Sequence, residues 1–231
     1  MTFIRKYKAE EKVWFISDLH LGHNQPFVYE KRGFQSIEEH NETLLINLKA
    51  CVGEDDNLFI LGDLTLGDLD AAAAYLRQIP GHVHIILGNH DTERRIEFYL
   101  SLGWDVQFAT VIRWDKYRFY LSHYPTNTAN PGEDKLTLAT LNIYGHTHQD
   151  WHWSAENPFA YCVCPEGNNN YPVSADEIID TIKMLMTLSK AMQKTAITSK
   201  EASEALIKLG ETMSSYAEAM ANFKQMSQEE E

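Results

Sequence analysis

Five short polar motifs follow runs of apolar residues, and their side chains are of the kinds that bind metal ions. The longest motif comes after Val83–Leu87, a β-branched and aliphatic run that predicts a buried strand. In chain order the motifs are Asp18-x-His20, Gly62-Asp63, Gly88-Asn89-His90-Asp91, His123 and Gly145-His146-Thr147-His148. Ligands of open α/β sheets gather at the carboxyl ends of the strands, so these motifs are expected to meet at one site.

As candidate ligands the motifs supply the carboxylates of Asp18 and Asp63, one carboxamide and four imidazoles, with His90 and Asp91 in addition. Mixed nitrogen and oxygen ligands favour Mn²⁺, Fe, Zn²⁺ or Ni²⁺ over Ca²⁺ or Mg²⁺. Seven ligands exceed one tetrahedral site, which predicts two divalent transition-metal ions that share a carboxylate. The ligand types leave these four metals open, and Mn²⁺ is the one we expect. Ions about 3.5–4 Å apart can clamp a phosphoryl group and lower the pKa of a bridging water. Any one motif alone would be explained as well by hydrogen-bonded structural histidines, whereas five in order favour the metal site.

The elements that must position these motifs alternate between strand and helix in the first half of the chain. Strands are predicted over Val13–Ser17, Leu58–Leu61 and Val83–Leu87, and helices over Gln35–Leu48, Asp68–Gln78 and Ile96–Leu102. Further strands are predicted over Val106–Trp114, Tyr117–Leu121 and Leu141–Tyr144, with another pair suggested by Trp151, Trp153, Phe159, Tyr161 and Val163. This order predicts an α/β fold with two stacked mixed β-sheets flanked by helices, a four-layer α/β/β/α sandwich.

The pattern changes near residue 174, where helical signals begin. Ser174-Ala175-Asp176-Glu177 is a capping box that opens a helix, and Thr198-Ser199-Lys200-Glu201 is a second one. A third amphipathic helix is predicted from Met213 to Phe223. We predict a first domain over residues 1–190 and a C-terminal helical extension over residues 191–231. The apolar stripes of the extension must be buried on the domain, in self-association or on a protein partner.

Composition limits the classes of partner. The formal net charge is −13, which disfavours non-specific binding to nucleic acid. No apolar run approaches the roughly 18 residues needed to cross a bilayer, so no membrane association is expected. The three cysteines, Cys51, Cys162 and Cys164, do not make a disulfide framework, and the latter two are interpreted as buried small side chains. A cytoplasmic location is expected.

At the five motifs the chain resembles the calcineurin-like metallophosphoesterases. Their signature is D-x-H, G-D, G-N-H-(D/E), H and G-H-x-H, and every element is present in that order. The resemblance spans about residues 13–173. The segments Asp18-Leu19-His20-Leu21-Gly22-His23 and Ser122-His123-Tyr124-Pro125 are most similar to small phosphoesterases of bacteria and their phages. The resemblance implies the four-layer fold and hydrolysis by metal-bound hydroxide.

The resemblance also implies a role for each residue. His90 would contact the phosphate and protonate the leaving oxygen or stabilise the transition state, and Asp91 would brace the loop. The first ion would be bound by Asp18, His20, Asp63 and His148, and the second by Asp63 as the bridge with Asn89, His123 and His146.

One departure concerns the segment after Asp63. The protein Ser/Thr phosphatases of the superfamily carry G-D-x-x-D-R-G, whereas this chain reads Gly62-Asp63-Leu64-Thr65-Leu66-Gly67-Asp68. The usual partner of the catalytic histidine is therefore absent, which argues against a phosphoprotein phosphatase. His23 and Arg94 are predicted substrate contacts, and Arg95 is an alternative to Arg94. Both arginines could equally be a solvated helix start, and His23 a structural residue.

Three hypotheses for function follow. The first is a dinuclear phosphoesterase, acting on a phosphodiester of a small or nucleotide-like substrate. The second is a Mn²⁺-dependent nuclease, against which the acidic charge counts. The third is a structural or interaction protein whose C-terminal helices over residues 191–231 bind a partner.

Overall fold

The computed structural model describes residues 4–128, 135–153, 156–194 and 207–209. Within these ranges the strands are, in chain order, β1 (Arg5–Tyr7), β2 (Val13–Ile16), β3 (Asn57–Leu61), β4 (His82–Ile86), β5 (Asp105–Gln107), β6 (Ala109–Trp114), β7 (Tyr117–Ser122), β8 (Thr140–Tyr144), β9 (Ala160–Cys162) and β10 (Val173–Ser174). The helices are α1 (Pro26–Tyr29), α2 (Ile37–Cys51), α3 (Leu69–Leu76), α4 (Glu93–Ser101) and α5 (Ala175–Lys194), with 3₁₀ turns at Glu30–Arg32 and Pro165–Asn168.

The strands form two five-stranded sheets. One has the order β1-β6-β7-β8-β9 and the other the order β10-β2-β3-β4-β5. Each is mixed, because β6 pairs with β7 and β10 pairs with β2 in antiparallel fashion while the other pairs are parallel. The strands β2, β3 and β4, and β7 and β8, therefore direct their carboxyl ends the same way within each sheet.

The two sheets stack through aromatic side chains. Phe15 of β2 meets Phe119 of β7 with ring centroids 5.7 Å apart, and Tyr7 of β1 meets Phe59 of β3 at 6.2 Å. The opposite face of β2 and β3 is also buried, in a core with α2 and α3 that contains Ile16, Leu44, Leu58, Ile60, Ala72 and Leu76. Because both faces are covered, these strands are continuously apolar.

Helix positions agree closely with the sequence pattern. Ser36 caps α2 by accepting from the main-chain nitrogen of Glu39, and Asp68 caps α3. The capping box at α5 forms as predicted: the Ser174 nitrogen donates to Glu177, and the Glu177 nitrogen donates to Ser174 Oγ. Near the middle of α5, Lys183 lies over the ring of Tyr117 on the first sheet, 5.6 Å from its centroid. The four-layer prediction is confirmed.

Two strand predictions were wrong. The predicted strand Val106–Trp114 is divided at Phe108 into β5 and β6, which lie in different sheets. Phe108 itself is 84% exposed. The apolar pattern continues past it because Val106 of β5 packs on the core of one sheet, whereas Ile112 of β6 is buried in the other sheet. In the described part of the segment around Trp151 and Trp153, only β9 forms a strand. The Trp153 indole instead donates to the carbonyl of Pro158, which is a loop contact.

The chain divides into two compact units, Met1–Lys183 and Met184–Glu231, and both sheets belong to the first. The domain limit predicted at residue 190 stays a prediction. The predicted helices after residue 197 lie outside the described residues, apart from the helical segment 207–209. Among the described residues, every helix is too short or too polar to cross a membrane.

Candidate metal centre

The five motifs follow strands of both sheets. Asp18, Asp63 and Asn89 come after β2, β3 and β4, which are neighbours in one sheet. In the other sheet, His123 follows β7 and His146 follows β8. Main-chain hydrogen bonds join the loops, since the Asp18 nitrogen donates to Gly62 at 2.9 Å and the Gly145 nitrogen donates to His123 at 3.0 Å. The carboxyl ends of the strands thus bring the motifs to one edge of the fold.

The backbone of this site is strained. Five predicted ligand residues have φ angles in the left-handed region, which non-glycine residues rarely adopt: Asp18 (50°), His20 (49°), Asp63 (52°), His146 (67°) and His148 (47°). Each such conformation costs about 1–3 kcal/mol and persists only where the surroundings hold it in place. Strain concentrated on residues that carry potential metal ligands marks a functional site.

Two glycines make room for the carboxylates. A Cβ atom on Gly88 would collide with Oδ1 of Asp63, and one on Gly145 would collide with Oδ2 of Asp18 and with Ser17. Both glycines have φ angles outside the left-handed region, so the need is for space and not for conformational freedom. The glycines of the third and fifth motifs therefore let the strand ends close around Asp63 and Asp18.

Asp18, His20 and His148 form the first potential ligand group. Their ligand atoms all lie within 4.8 Å of one another. The Nε2 atoms of His20 and His148 are 3.3 Å apart, and Oδ1 of Asp18 is 3.6 Å from His148 Nε2. Oδ1 of Asp18 is buried and lacks a hydrogen-bond partner among the described residues. An orphaned carboxylate oxygen facing two imidazoles fits a bound divalent cation.

Asp18, Asp63 and His123 form a second group by the same distance criterion. His123 Nε2 lies 3.4 Å from Asp63 Oδ2 and 3.0 Å from the side-chain oxygen of Asn89. His123 Nδ1 is 2.9 Å from the carbonyl of Leu61, which accepts its proton and leaves Nε2 free to bind metal. By this geometry Asp18 is common to both groups, and the assignment of Asp63 as the bridge stays a prediction.

His146 is placed differently from the other predicted ligands. Its main-chain nitrogen donates to Asp18 Oδ2 at 2.8 Å, so its backbone orients the shared carboxylate. Its ring lies against His123 and Tyr124, with centroids 4.9 and 4.6 Å apart. The imidazole borders the second group without belonging to either group of described residues within 4.8 Å.

Burial and hydrogen bonding set the protonation of these groups. Burial, together with the charge of Arg32, lowers the pKa of His20 to about 3, so its imidazole is neutral and can bind metal. Burial would raise the pKa of Asp63, but hydrogen bonds from His123 and from the main-chain nitrogen of His90 outweigh it and lower that pKa. The site at neutral pH therefore offers an ionised carboxylate and a neutral imidazole.

A buried layer behind the ligands was missed by the sequence analysis. His148 Nδ1 lies 2.8 Å from Oε1 of Glu166, and Arg32 Nε donates to the same oxygen at 3.0 Å. Arg32 also donates to the carbonyls of Asp18 and Leu19. Burial opposes the charge of Glu166, yet the hydrogen bond from His148 and the charge of Arg32 hold its pKa at about 2. Arg32 and Glu166 thus tie the first motif to the fifth.

Cys164 belongs to the same layer. Its thiol donates to Oδ2 of Asp18 over 3.2 Å, and both Cys162 and Cys164 are buried. The interpretation of these cysteines as buried small side chains describes their packing but omits this contact. The sequence signals available were faint, because Glu166 and Cys164 follow the last motif without a recognisable spacing.

His90 is held mainly through its backbone. Its nitrogen donates to Asp63 Oδ1 at 2.9 Å, and its carbonyl accepts from Arg95 Nη1 at 2.9 Å. Its side chain is 44% exposed, with Nε2 4.0 Å from Asp63 Oδ2 and the ring 5.9 Å from that of His20. The imidazole therefore faces the ligand groups from the solvent side.

Asp91 organises the loop around His90. Its Oδ2 accepts from the main-chain nitrogens of Gly88 and Asp63, at 2.8 and 3.1 Å. Its Oδ1 accepts from the buried hydroxyl of Tyr99 at 3.0 Å, and Thr65 Oγ1 lies 3.1 Å from the same hydroxyl. These contacts are those of a brace between the second and third motifs.

The two predicted substrate contacts differ in their surroundings. The His23 ring lies 5.7 Å from that of His20, and its buried Nδ1 lacks a hydrogen-bond partner among the described residues. Arg94 is exposed and pairs with Asp70 at 3.3 Å. The neighbouring Arg95 is the arginine that reaches the His90 carbonyl. Neither substrate role is tested by these positions.

Comparisons with known proteins agree with this site. A sequence model of the family described as "Calcineurin-like phosphoesterase" matches residues 11–162. The chain is 32% identical over 160 residues to the Gene 66 protein of Mycobacterium phage L5, covering 58% of this chain and 76% of that protein. It is 32% identical over 180 residues to protein MJ1445 of Methanocaldococcus jannaschii, covering 74% and 92%.

A solved structure shares the fold. The protein AQ665 of Aquifex aeolicus superposes with a TM-score of 0.55 at 24% identity, covering 74% of this chain and all of that one. The matched family region contains all five motifs, from Asp18 to His148. The chain thus belongs to the calcineurin-like phosphoesterases and is a metal-dependent phosphoester hydrolase.

Proposed function

We propose that this protein is a dinuclear phosphodiesterase that acts on a small or nucleotide-like substrate, with Mn²⁺ as its preferred metal. The observation that carries the proposal is the pair of ligand groups that share Asp18, one containing His20 and His148 and the other Asp63 and His123. A single mononuclear site would need only one of these groups. The His90 imidazole lies next to Asp63 and is 44% exposed, so a bound substrate can contact it.

Each part of the site has a task in this reaction. Asp18, His20, Asp63 and His148 would hold one ion, and Asp63, shared between the two, would hold the other together with Asn89, His123 and His146. Bound divalent ions supply Lewis acidity, which lowers the pKa of water and offsets charge on phosphoryl oxygens. Oδ1 of Asp63 accepts a hydrogen bond of 2.9 Å from the main-chain nitrogen of His90, which fixes the loop that presents the imidazole. His90 then donates a hydrogen bond or a proton to the leaving oxygen.

The experiment combines metal analysis with hydrolysis of chromogenic esters. The full chain is stripped with chelator, reconstituted with Mn²⁺, Fe²⁺, Zn²⁺, Ni²⁺ or Mg²⁺, and assayed on bis(p-nitrophenyl) phosphate and p-nitrophenyl phosphate. We expect two ions per chain, the highest rate with Mn²⁺ and a preference for the diester. Full activity in excess chelator would overturn the metal requirement, and a preference for the monoester would overturn the diesterase assignment.

The Asp63→Asn variant tests the ligand groups. We expect it to lose at least about a hundredfold in kcat/KM, corresponding to roughly 3 kcal/mol of transition-state stabilisation, and to bind fewer ions. Asp55→Asn, which alters an exposed carboxylate outside the site, serves as the matched control. Undiminished activity and metal content in Asp63→Asn would refute its place in the site.

A further inference from the structure

Two exposed aromatic side chains pack against histidines of the five-motif edge. Phe27 at the start of α1 is 70% exposed, and its ring meets that of His23 edge-on at 5.7 Å. His23 in turn lies 5.7 Å from His20. Tyr124 is 48% exposed, and its ring lies 5.0 Å from His123 and 4.6 Å from His146. Large aromatic surfaces left in water at a catalytic edge are candidate contacts for a ligand.

The two rings are linked to different ligand groups. Phe27 connects through His23 to His20, which is in the first ligand group, while Tyr124 contacts His123 of the second group. A phosphodiester bound between the groups has two ester substituents, one for the aromatic ring next to each group. A phosphomonoester carries one organic substituent and could use one ring only. A phosphodiester with two flat substituents uses both.

Charge limits how far the substrate extends. A protein that follows a longer strand needs basic side chains to contact successive phosphates. Near this site Lys31 Nζ donates to the carbonyl of His148, Arg94 pairs with Asp70, and Arg95 donates to His90 and Gly67. The net charge of −13 further disfavours a long polyanion. The surroundings suit a substrate with a single phosphodiester.

From this arrangement we propose that the substrate is a dinucleotide-like phosphodiester, with one base stacked on Phe27 and the other on Tyr124. This inference rests on the proposed function and names its substrate class. Stacking on an aromatic ring tolerates every base, because each base presents a flat π surface. The enzyme is accordingly expected to discriminate by substrate length and aromatic character more than by base identity.

The test compares two diesters on the Mn²⁺-loaded full chain: adenylyl-(3′→5′)-adenosine and methyl p-nitrophenyl phosphate. Phe27→Ala and Tyr124→Ala are each expected to lower kcat/KM for the dinucleotide about tenfold, within the range that loss of one stacked base gives. Methyl p-nitrophenyl phosphate carries a single flat substituent, so at most one of the two alanine variants is expected to lose more than about threefold with it. Phe27→Trp and Tyr124→Phe keep a ring and should retain most dinucleotide activity. Ile46→Ala removes an exposed apolar side chain from α2 and is the control.

Binding gives a readout independent of turnover. Calorimetric titration with adenylyl-adenosine uses the Mn²⁺-loaded full chain carrying His90→Ala to slow turnover, and should show weaker binding when Phe27→Ala or Tyr124→Ala is added than when Ile46→Ala is added. Equal losses on both diesters in both alanine variants, or unchanged dinucleotide binding, would overturn the stacking proposal. So would an oligonucleotide of ten residues bound more than tenfold tighter than the dinucleotide. If the unmodified enzyme hydrolyses neither diester with any metal, the proposed function fails, and the binding comparison still decides the stacking proposal.

Discussion

His148 Nδ1 lies 2.8 Å from Oε1 of Glu166, which stands eighteen residues further along the chain and is buried. A carboxylate behind a histidine fixes the ring's tautomer and makes the opposite nitrogen a better metal ligand. Here it also aligns His148 Nε2 with Asp18, 3.6 Å away. Glu166 therefore belongs to the candidate metal site as the hydrogen-bond partner of His148, and it is in neither ligand group itself.

Replacing this carboxylate should weaken metal binding. We expect Glu166→Gln to lower metal affinity about 10- to 100-fold, because the uncharged amide neither orients nor polarises His148 as the carboxylate does. Competition with a chromogenic chelator measures the affinity, and Glu97→Gln on the exposed face of α4 is the control. Equal affinities in the two variants would show that His148 needs no support from Glu166.

The space reserved by Gly88 should be necessary for the site. In Gly88→Ala the new methyl would collide with Asp63 Oδ1, so we expect about a hundredfold loss of kcat/KM and fewer bound ions. Gly53→Ala is matched, because both glycines have φ angles outside the left-handed region and the nearest atom to a Cβ at Gly53 is 3.5 Å away. The control should change stability by no more than about 0.5 kcal/mol. The metal content and kcat/KM of both variants are measured. A Gly88→Ala variant with the metal content and kcat/KM of the unmodified chain would contradict the prediction.

Arg95 is expected to act as a positioning residue for His90. Its guanidinium donates to the carbonyls of His90 and Gly67 at 2.9 and 3.3 Å, a two-pronged contact that lysine cannot reproduce. In Arg95→Lys we expect kcat to fall about tenfold, with KM and metal stoichiometry unchanged. Arg113→Lys on β6 is the control. A change in KM alone would instead point to a direct substrate contact.

His84 should make stability depend on pH. Burial and, after it, the charge of Arg5 lower the pKa of His84 to about 4. The charge of His82 lowers this pKa further, and Asp105 raises it in part. Arg5 donates to Nδ1 at 2.7 Å, and Nε2 lies 3.2 Å from the side-chain oxygen of Asn57, an arrangement that suits the neutral ring. In the unfolded chain the pKa of His84 is about 6.5, so the unfolded chain binds the proton more readily than the folded chain.

This difference stabilises the folded protein above about pH 6.5, and the stabilisation is lost as pH falls toward 4. We expect the free energy of unfolding of the unmodified chain to fall by about 1–2 kcal/mol more than that of His84→Gln between pH 7 and pH 4. Urea denaturation of both proteins in chelator at the two pH values measures the difference. Parallel pH profiles would contradict the assignment.

Much of the architecture could be predicted because local sequence encodes it. Apolar runs such as Val83–Leu87 predict strands, and the capping box at Ser174–Glu177 predicts where α5 begins. The division at Phe108 could not be predicted in this way. Both β5 and β6 are extended and partly apolar, and only the pairing of β5 with β4 and of β6 with β7 separates them into two sheets.

The sequence by itself determined the fold class, the family and the motifs that end the strands, because each depends on residue types and short spacings. Tertiary structure alone decided which side chains stand behind and beside those motifs. Arg32 and Glu166 are 134 positions apart and share a hydrogen bond of 3.0 Å. Phe27 packs against His23, whereas Tyr124 packs against His123 of the second ligand group. The physical reason is that such contacts depend on the packing of distant segments, which no local pattern records.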